Sequence, residues 1–243
     1  MDQRSYDQAM TFFEIYKNVL HRVEATEYHS QPIQTYCDYL KELHDAHNFD
    51  ASDVIGSVAV NCNPITNGHL ALIEYARSNV DFLYVIVIEE DKSAVKFKDR
   101  FEMVRLACAD FDNVHVVRGG QFVCTEYIAP EYFVKDESNE MPINFGLESF
   151  YFGNYIGPSL KIKKIFLGEE PICQVTAAYN AHMQAAMPQY EIDLTIIPRK
   201  TDEEGEAISA SKVRSLIRSK NWERVYQLVP ARVHKYIREN VVL

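Results

Sequence analysis

Three things are missing from this chain of 243 residues. It has no basic excess: 25 Lys and Arg stand against 35 Asp and Glu, a formal net charge of −10. Nucleic acids and anionic membranes attract proteins through surplus Lys and Arg, so neither is expected as a partner. A nucleotide site is not excluded, because it needs only a few local cations. It has no apolar run near the ~20 residues of a membrane helix. The opening Met1-Asp2-Gln3-Arg4-Ser5 carries no apolar segment like a signal peptide. Its cysteines, at 37, 62, 108, 124 and 173, form no Cys-x-x-Cys pair. Reduced thiols without structural zinc are expected. The expectation is a soluble, cytoplasmic protein with one sizeable core.

The chain divides into an N-terminal extension, residues 1–52, and a main body, 53–243. In the extension Met10, Phe13, Tyr16, Leu20 and Val23 recur at helical spacing, and so do Ile33, Tyr36, Cys37, Leu40 and Leu43. Two amphipathic helices are predicted, with a turn at His29-Ser30-Gln31-Pro32. From Asp53 the pattern alternates. Strands are predicted over Val54–Val60, Phe82–Ile88, Val114–Val117, Ile162–Leu167 and Tyr190–Ile197, and helices over Gly68–Ser78, Asp99–Ala109 and Val175–Met187. Alternation of this kind predicts an α/β fold, a doubly wound parallel sheet covered on both faces. Short helices follow from Ser209 to Asn240, with Pro230 starting the last as a C-terminal cap. The stretch Gly119–Gly157 is rich in aromatics, including Phe122, Tyr127, Tyr132, Phe133, Phe145, Phe150, Tyr151, Phe152 and Tyr155. It reads either as a packed helical insertion or as a lid or acceptor pocket. The acidic run Asp202-Glu203-Glu204-Gly205-Glu206 reads as a solvated turn, and no metal site is assigned.

Two segments carry chemistry. Asn61-Cys62-Asn63-Pro64-Ile65-Thr66-Asn67-Gly68-His69 follows the first strand and opens a helix. Pro64 shapes the turn. Gly68 lets backbone approach a phosphate at a helix N-terminus. Thr66 offers a hydroxyl or caps the helix. His69 offers a ring N–H. Far downstream lies Ile208-Ser209-Ala210-Ser211-Lys212-Val213-Arg214. Ser209 and Ser211 can cap a helix and donate hydroxyls; Lys212 or Arg214 can meet β- and γ-phosphates. Between them, Lys92, Lys96 and Arg100 follow the second strand at the edge where open α/β sheets bind ligands.

The ordered pair resembles the two nucleotide-binding signatures of the HxGH nucleotidyltransferase superfamily. Further pieces resemble the citrate lyase ligase family, C-terminal domain: Asn61-Cys62-Asn63-Pro64, Glu89-Glu90-Asp91 with Asp99-Arg100-Phe101, Tyr132-Phe133-Val134-Lys135, Gly168-Glu169-Glu170-Pro171 with Val175-Thr176 and Tyr179-Asn180, Pro198-Arg199-Lys200, and Leu228-Val229-Pro230. The resemblance runs from about Asp53 to Ile237. It implies a Rossmann-like nucleotidyltransferase fold. It also implies that ATP and Mg²⁺ serve adenylation of acetate, with acetyl passing to a thiol on the lyase's acyl-carrier subunit and release of AMP and pyrophosphate. Thr66, His69, Lys92 and Lys96 are then the catalytic candidates. Asn63, Pro64, Gly68, Arg100, Gly168, Glu169, Ser209, Ser211, Lys212 and Arg214 are candidates to hold the nucleotide. Full-length members carry an acetyltransferase-like domain ahead of this region, whereas residues 1–52 are too few for one. The nucleotide chemistry therefore carries over further than the acceptor. Two other functions fit the same motifs. One is an ATP- or CTP-dependent transferase acting on a phosphorylated small molecule, with Lys161, Lys163 and Lys164 as phosphate partners. The other is a non-catalytic nucleotide-binding protein.

Overall fold

The computed structural model describes residues 27–89, 92–125, 145–170, 173–201, 205 and 208–243, with the backbone alone for 27–31. Met10, Phe13, Tyr16, Leu20 and Val23 lie outside these residues. So do Glu90, Asp91, Tyr127, Tyr132–Lys135, Pro171 and all of the acidic run except Gly205.

In chain order the elements are α1 (Glu27–Asp45), β1 (Ile55–Val60), α2 (Asn67–Arg77), β2 (Phe82–Val87), α3 (Phe97–Ala107), β3 (Val114–Arg118) and α4 (Gly146–Tyr151). A π-helical turn (Phe152–Ile156) and a last turn (Gly157–Ser159) extend α4. Then follow β4 (Lys164–Gly168), α5 (Gln174–Ala186), β5 (Asp193–Ile197), α6 (Ala210–Arg218), α7 (Trp222–Leu228) and α8 (His234–Asn240). The five strands form one sheet in the order β3-β2-β1-β4-β5, and every pairing is parallel. Strand order reverses at β1. Loops that diverge from that point open a crevice beyond the carboxyl ends of the strands.

The sheet is apolar on both faces because each strand sends alternate side chains to opposite sides. Leu83, Val85 and Val87 join the core under α2, α3 and the C-terminal helices. Tyr84 and Ile86, one residue out of phase, join the core under α1, α4 and α5. No helix among the described residues is long and apolar enough to cross a membrane.

The turn expected at His29–Pro32 is helical backbone instead: α1 runs through Pro32. Proline there removes one backbone donor near the start of a long helix, a local cost. Burial of Ile33, Cys37 and Leu40 against the sheet outweighs it. The Tyr36 hydroxyl donates to the Arg118 carbonyl at 2.8 Å, tying α1 to the end of β3. Gly120 follows at φ +59, and a Cβ there would sit 3.0 Å from the Tyr36 ring. The chain can turn beneath α1 only with glycine at this point.

Candidate active site

A cleft of about 630 Å³ opens at the carboxyl edge of the sheet. Segments following all five strands contribute to it, among them Asn61–Asn63, Cys124, Gly168–Glu170 and Pro198–Lys200. The N-terminus of α2 and that of α6 complete one end.

Local chemistry builds the α2 end. Thr66 is the N-cap of α2 in extended backbone, and the Thr66 hydroxyl accepts from the His69 amide. The reciprocal half of this capping box is unusual: the Thr66 amide donates to His69 Nδ1 at 3.1 Å. The bond fixes the ring. Nδ1 accepts, so the neutral imidazole carries its proton on Nε2 and is a hydrogen-bond donor there. Burial, then the positive charge of Arg199, lowers the His69 pKa to about 4. His69 therefore donates without being charged at neutral pH. Asn63, Thr66, Gly68 and His69 all line the cleft. Pro64 is buried beneath it, joined to Asn63 by a cis peptide bond.

The second motif closes on the first. Ser209 caps α6 and accepts from the Lys212 amide. The Arg214 guanidinium donates from Nη1 to the Asn63 carbonyl at 2.6 Å and from Nη2 to the Ser211 hydroxyl at 2.9 Å. Burial, then the neighbouring Arg218, lowers the Arg214 pKa. Ser209, Ser211 and Arg214 line the same cleft as His69, although Asn63 and Arg214 are 151 positions apart. Gly168 and Glu169 line it too, and Lys212 does not.

The other expected cations sit elsewhere. Arg100 is fully buried. Its Nη1 donates to the carbonyls of Asn61 at 2.8 Å and Ile88 at 2.7 Å, and its Nε to that of Val95 at 3.0 Å. It binds the loops after β1 and β2 to each other, and it is absent from the cleft lining. A guanidinium that satisfies three backbone carbonyls cannot turn outward without giving up all three bonds. Lys92 and Lys96 are exposed and are likewise absent from the lining. Their loop meets the first motif through other atoms: the Val95 amide donates to Asn63 Oδ1 at 2.9 Å.

Several lining residues were given no role on sequence grounds. Arg199 and Lys200 reach the cleft from the end of β5. Arg199 pairs with Glu170 at 2.7 Å, with both side chains largely buried. The rule that ligands gather beyond strand ends would have found both. The other end, on the opposite face of the sheet, is formed by Cys124, Phe145, Glu148, Thr176, Tyr179 and Asn180: Cys124, Leu147 and Tyr179 pack in the core under α1, α4 and α5, and Ile73, Ile208 and Val213 in the core under α2 and α6. The aromatic stretch reads on sequence either as a packed helical insertion or as a lid or acceptor pocket; among its described residues, Phe122, Tyr151, Phe152 and Tyr155 pack in the core, and Cys124, Phe145 and Glu148 line the cleft. Glu148 is the sole charged residue between 141 and 160, the one signal it carried.

Residues 55–237 match the family described as citrate lyase ligase C-terminal domain. The citrate (pro-3S)-lyase ligase of Haemophilus influenzae is 34% identical over 190 residues, 76% of this chain and 56% of that protein. Its Escherichia coli counterpart is 31% identical over 210 residues, 84% and 58%. The chain thus spans a little over half the length of the curated relatives it matches. Among solved structures, Thermotoga maritima TmcAL with alpha-thio ATP bound superposes with a TM-score of 0.50 at 14% identity, covering 76% of this chain and 55% of that one. That likeness speaks for the fold.

Proposed function

This chain belongs to the citrate lyase ligase C-terminal domain family, and on that premise we propose that it activates acetate with ATP and passes the acetyl group to a thiol. The observation that carries the reading is one cleft closed by two sequence-distant motifs, with His69 on one side and Ser211 and Arg214 on the other.

In the first step an acetate oxygen attacks the α-phosphorus of ATP. A new P–O bond forms, the bond to the pyrophosphate leaving group breaks, and acetyl adenylate results. The protein's part is to position the reactants and to stabilise charge that develops on phosphate oxygens. The amides at the start of α2 and the Nε2–H of His69 suit the α-phosphate. Ser211 and Arg214, with Arg199 and Lys200 close by, suit the β- and γ-phosphates. Arg214 Nη1 holds the Asn63 carbonyl, so an anion gripped by the guanidinium is also gripped relative to the α2 turn. Mg²⁺ is proposed to arrive on the nucleotide, as this ion usually does, held by phosphates and water. In the second step a thiol attacks the acyl carbon and AMP leaves. The prosthetic group of the citrate lyase acyl-carrier subunit is the proposed thiol.

Pyrophosphate release should be measured with ATP and with CTP, each with acetate or with 4′-phosphopantetheine. The expected result is release that requires ATP and acetate. Release that requires phosphopantetheine and ignores acetate would mean a transferase for phosphorylated acceptors instead.

A further inference from the structure

We infer that Glu148 is the base that takes the proton of the acceptor thiol at the end of the cleft opposite Arg214. The inference rests on the acyl-transfer reading of the same cleft.

Glu148 projects from α4 and is 1% exposed, yet it lines the cleft. A buried carboxyl in a structural role is normally held by strong donors at both oxygens. Here the two oxygens differ. Oε2 accepts the Cys124 amide at 2.8 Å, a strong bond that fixes the group. Oε1 faces the Cys124 thiol at 3.4 Å, a weak donor that an incoming group can displace. The Tyr179 hydroxyl lies 3.5 Å from the same sulfur. The structure thus places one sulfur between a carboxylate oxygen and a phenol, inside the cleft. Cys124 takes φ +48 there, an uncommon conformation for a side-chain-bearing residue.

Cys124 is itself poorly suited to attack. Burial, then the Glu148 carboxylate, raises its thiol pKa far above the usual range, and a reactive cysteine needs the opposite. Burial raises the Glu148 pKa to about 7, against the bonds from Cys124. Among the described residues, Cys124 is the titratable group against this carboxyl; Tyr179 meets the Cys124 sulfur, Tyr36 of α1 is near enough to sense the Glu148 charge, and His182 is bonded to the adjacent Ser149 at 3.0 Å. A carboxyl that gains and loses its proton near neutrality suits both steps. Protonated, it does not repel the acetate carboxylate that must enter. Ionised, it accepts a proton from a thiol. In that second step the sulfur bonds to the acyl carbon, and the S–H proton moves to Oε1. The bond from the acyl carbon to the phosphate oxygen breaks, AMP leaves as the anion, and Glu148 returns its proton to water.

The test separates the two half-reactions. Acetate-dependent exchange of pyrophosphate into ATP reads the first. Formation of acetyl-pantetheine from added acetyl adenylate and pantetheine reads the second. E148Q should lower the second by about 10²-fold or more, the scale of general base catalysis, and lower exchange far less. E148D should recover part of the loss. The wild-type transfer rate should climb as pH rises through about 7, and E148Q should lose that limb. Equal losses in both assays, or an E148Q enzyme that transfers at the wild-type rate, would overturn the assignment. So would a hydroxylamine-sensitive acetyl group on Cys124 together with loss of transfer in C124A, which would make Cys124 the nucleophile. Absence of acetate-dependent exchange in the wild type would remove the underlying reading and this inference with it.

Discussion

The two ends of the cleft are assembled in opposite ways. The end with His69 and Arg214 comes from two short segments, each folding around its own helix start. Thr66 caps α2, Ser209 caps α6, and Arg214 joins them through the Asn63 carbonyl. The end with Glu148 has no such local logic. Cys124, Glu148 and Tyr179 come from the loop after β3, from α4 and from α5, and meet only in the folded chain. One end offers fixed N–H donors and cations, a set that suits a phosphate. The other sets a carboxyl against a thiol beside Phe145 and Tyr179. Phosphate binding can be written into a contiguous motif because a helix N-terminus supplies most of it. An acceptor site depends on tertiary packing.

The largest effect is expected below the phosphate end. R100M should cost about 3–5 kcal/mol of folding stability, since each buried acceptor left without its donor costs about 1–3 kcal/mol. The carbonyls of Asn61, Ile88 and Val95 would then lack their donor. Chemical denaturation measures this. A stable R100M protein with lost ATP affinity would instead put Arg100 at the phosphates. His69 comes next. H69A should lower pyrophosphate exchange by about 10²–10³-fold, the scale for removing one preorganised donor to transition-state charge. It should also cost about 0.5–1.5 kcal/mol of stability, because the Thr66 amide loses its acceptor.

The acceptor end should reveal itself in stability against pH. Glu148 is protonated in the folded chain up to about 7, against an ordinary value of 4.5. The folded state therefore binds more protons between these values. The contribution is fully present below 4.5 and is lost as pH rises through about 7. E148Q should show a flatter profile than wild type between pH 5 and 8, by about 2–3 kcal/mol. Parallel profiles would mean an ordinary carboxylate. The smallest change is expected at Arg214. R214A should weaken ATP binding by about 1.5–3 kcal/mol, the value of a hydrogen bond to a charged group, and leave AMP binding nearly as it was. Calorimetry with both nucleotides checks this, and equal weakening would move Arg214 away from the outer phosphates.

The same contrast explains what could be read from the residues. The five strands and the helices between them were legible because runs such as Phe82–Val87 are long, β-branched and apolar. Both motifs of the His69 and Arg214 end were legible because each is contiguous and folds around its own helix start. Arg100 was misplaced because its sequence context is a charged loop. Only the fold shows three carbonyls converging on its guanidinium. Pro32 suggested a turn because the rule for proline ignores what tertiary burial can offset. Glu148 gave little warning: one acid among aromatics marks an insertion as unusual without saying where it points.

The measurement that tests the account most directly crosses the two ends with the two half-reactions. H69A and E148Q should each be assayed for acetate-dependent pyrophosphate exchange and for thioester formation from added acetyl adenylate. The account predicts opposite imbalances: H69A loses mainly exchange, and E148Q loses mainly thiol transfer. If both variants lose both activities by the same factor, the cleft does not divide its chemistry between its ends, and the central claim is wrong.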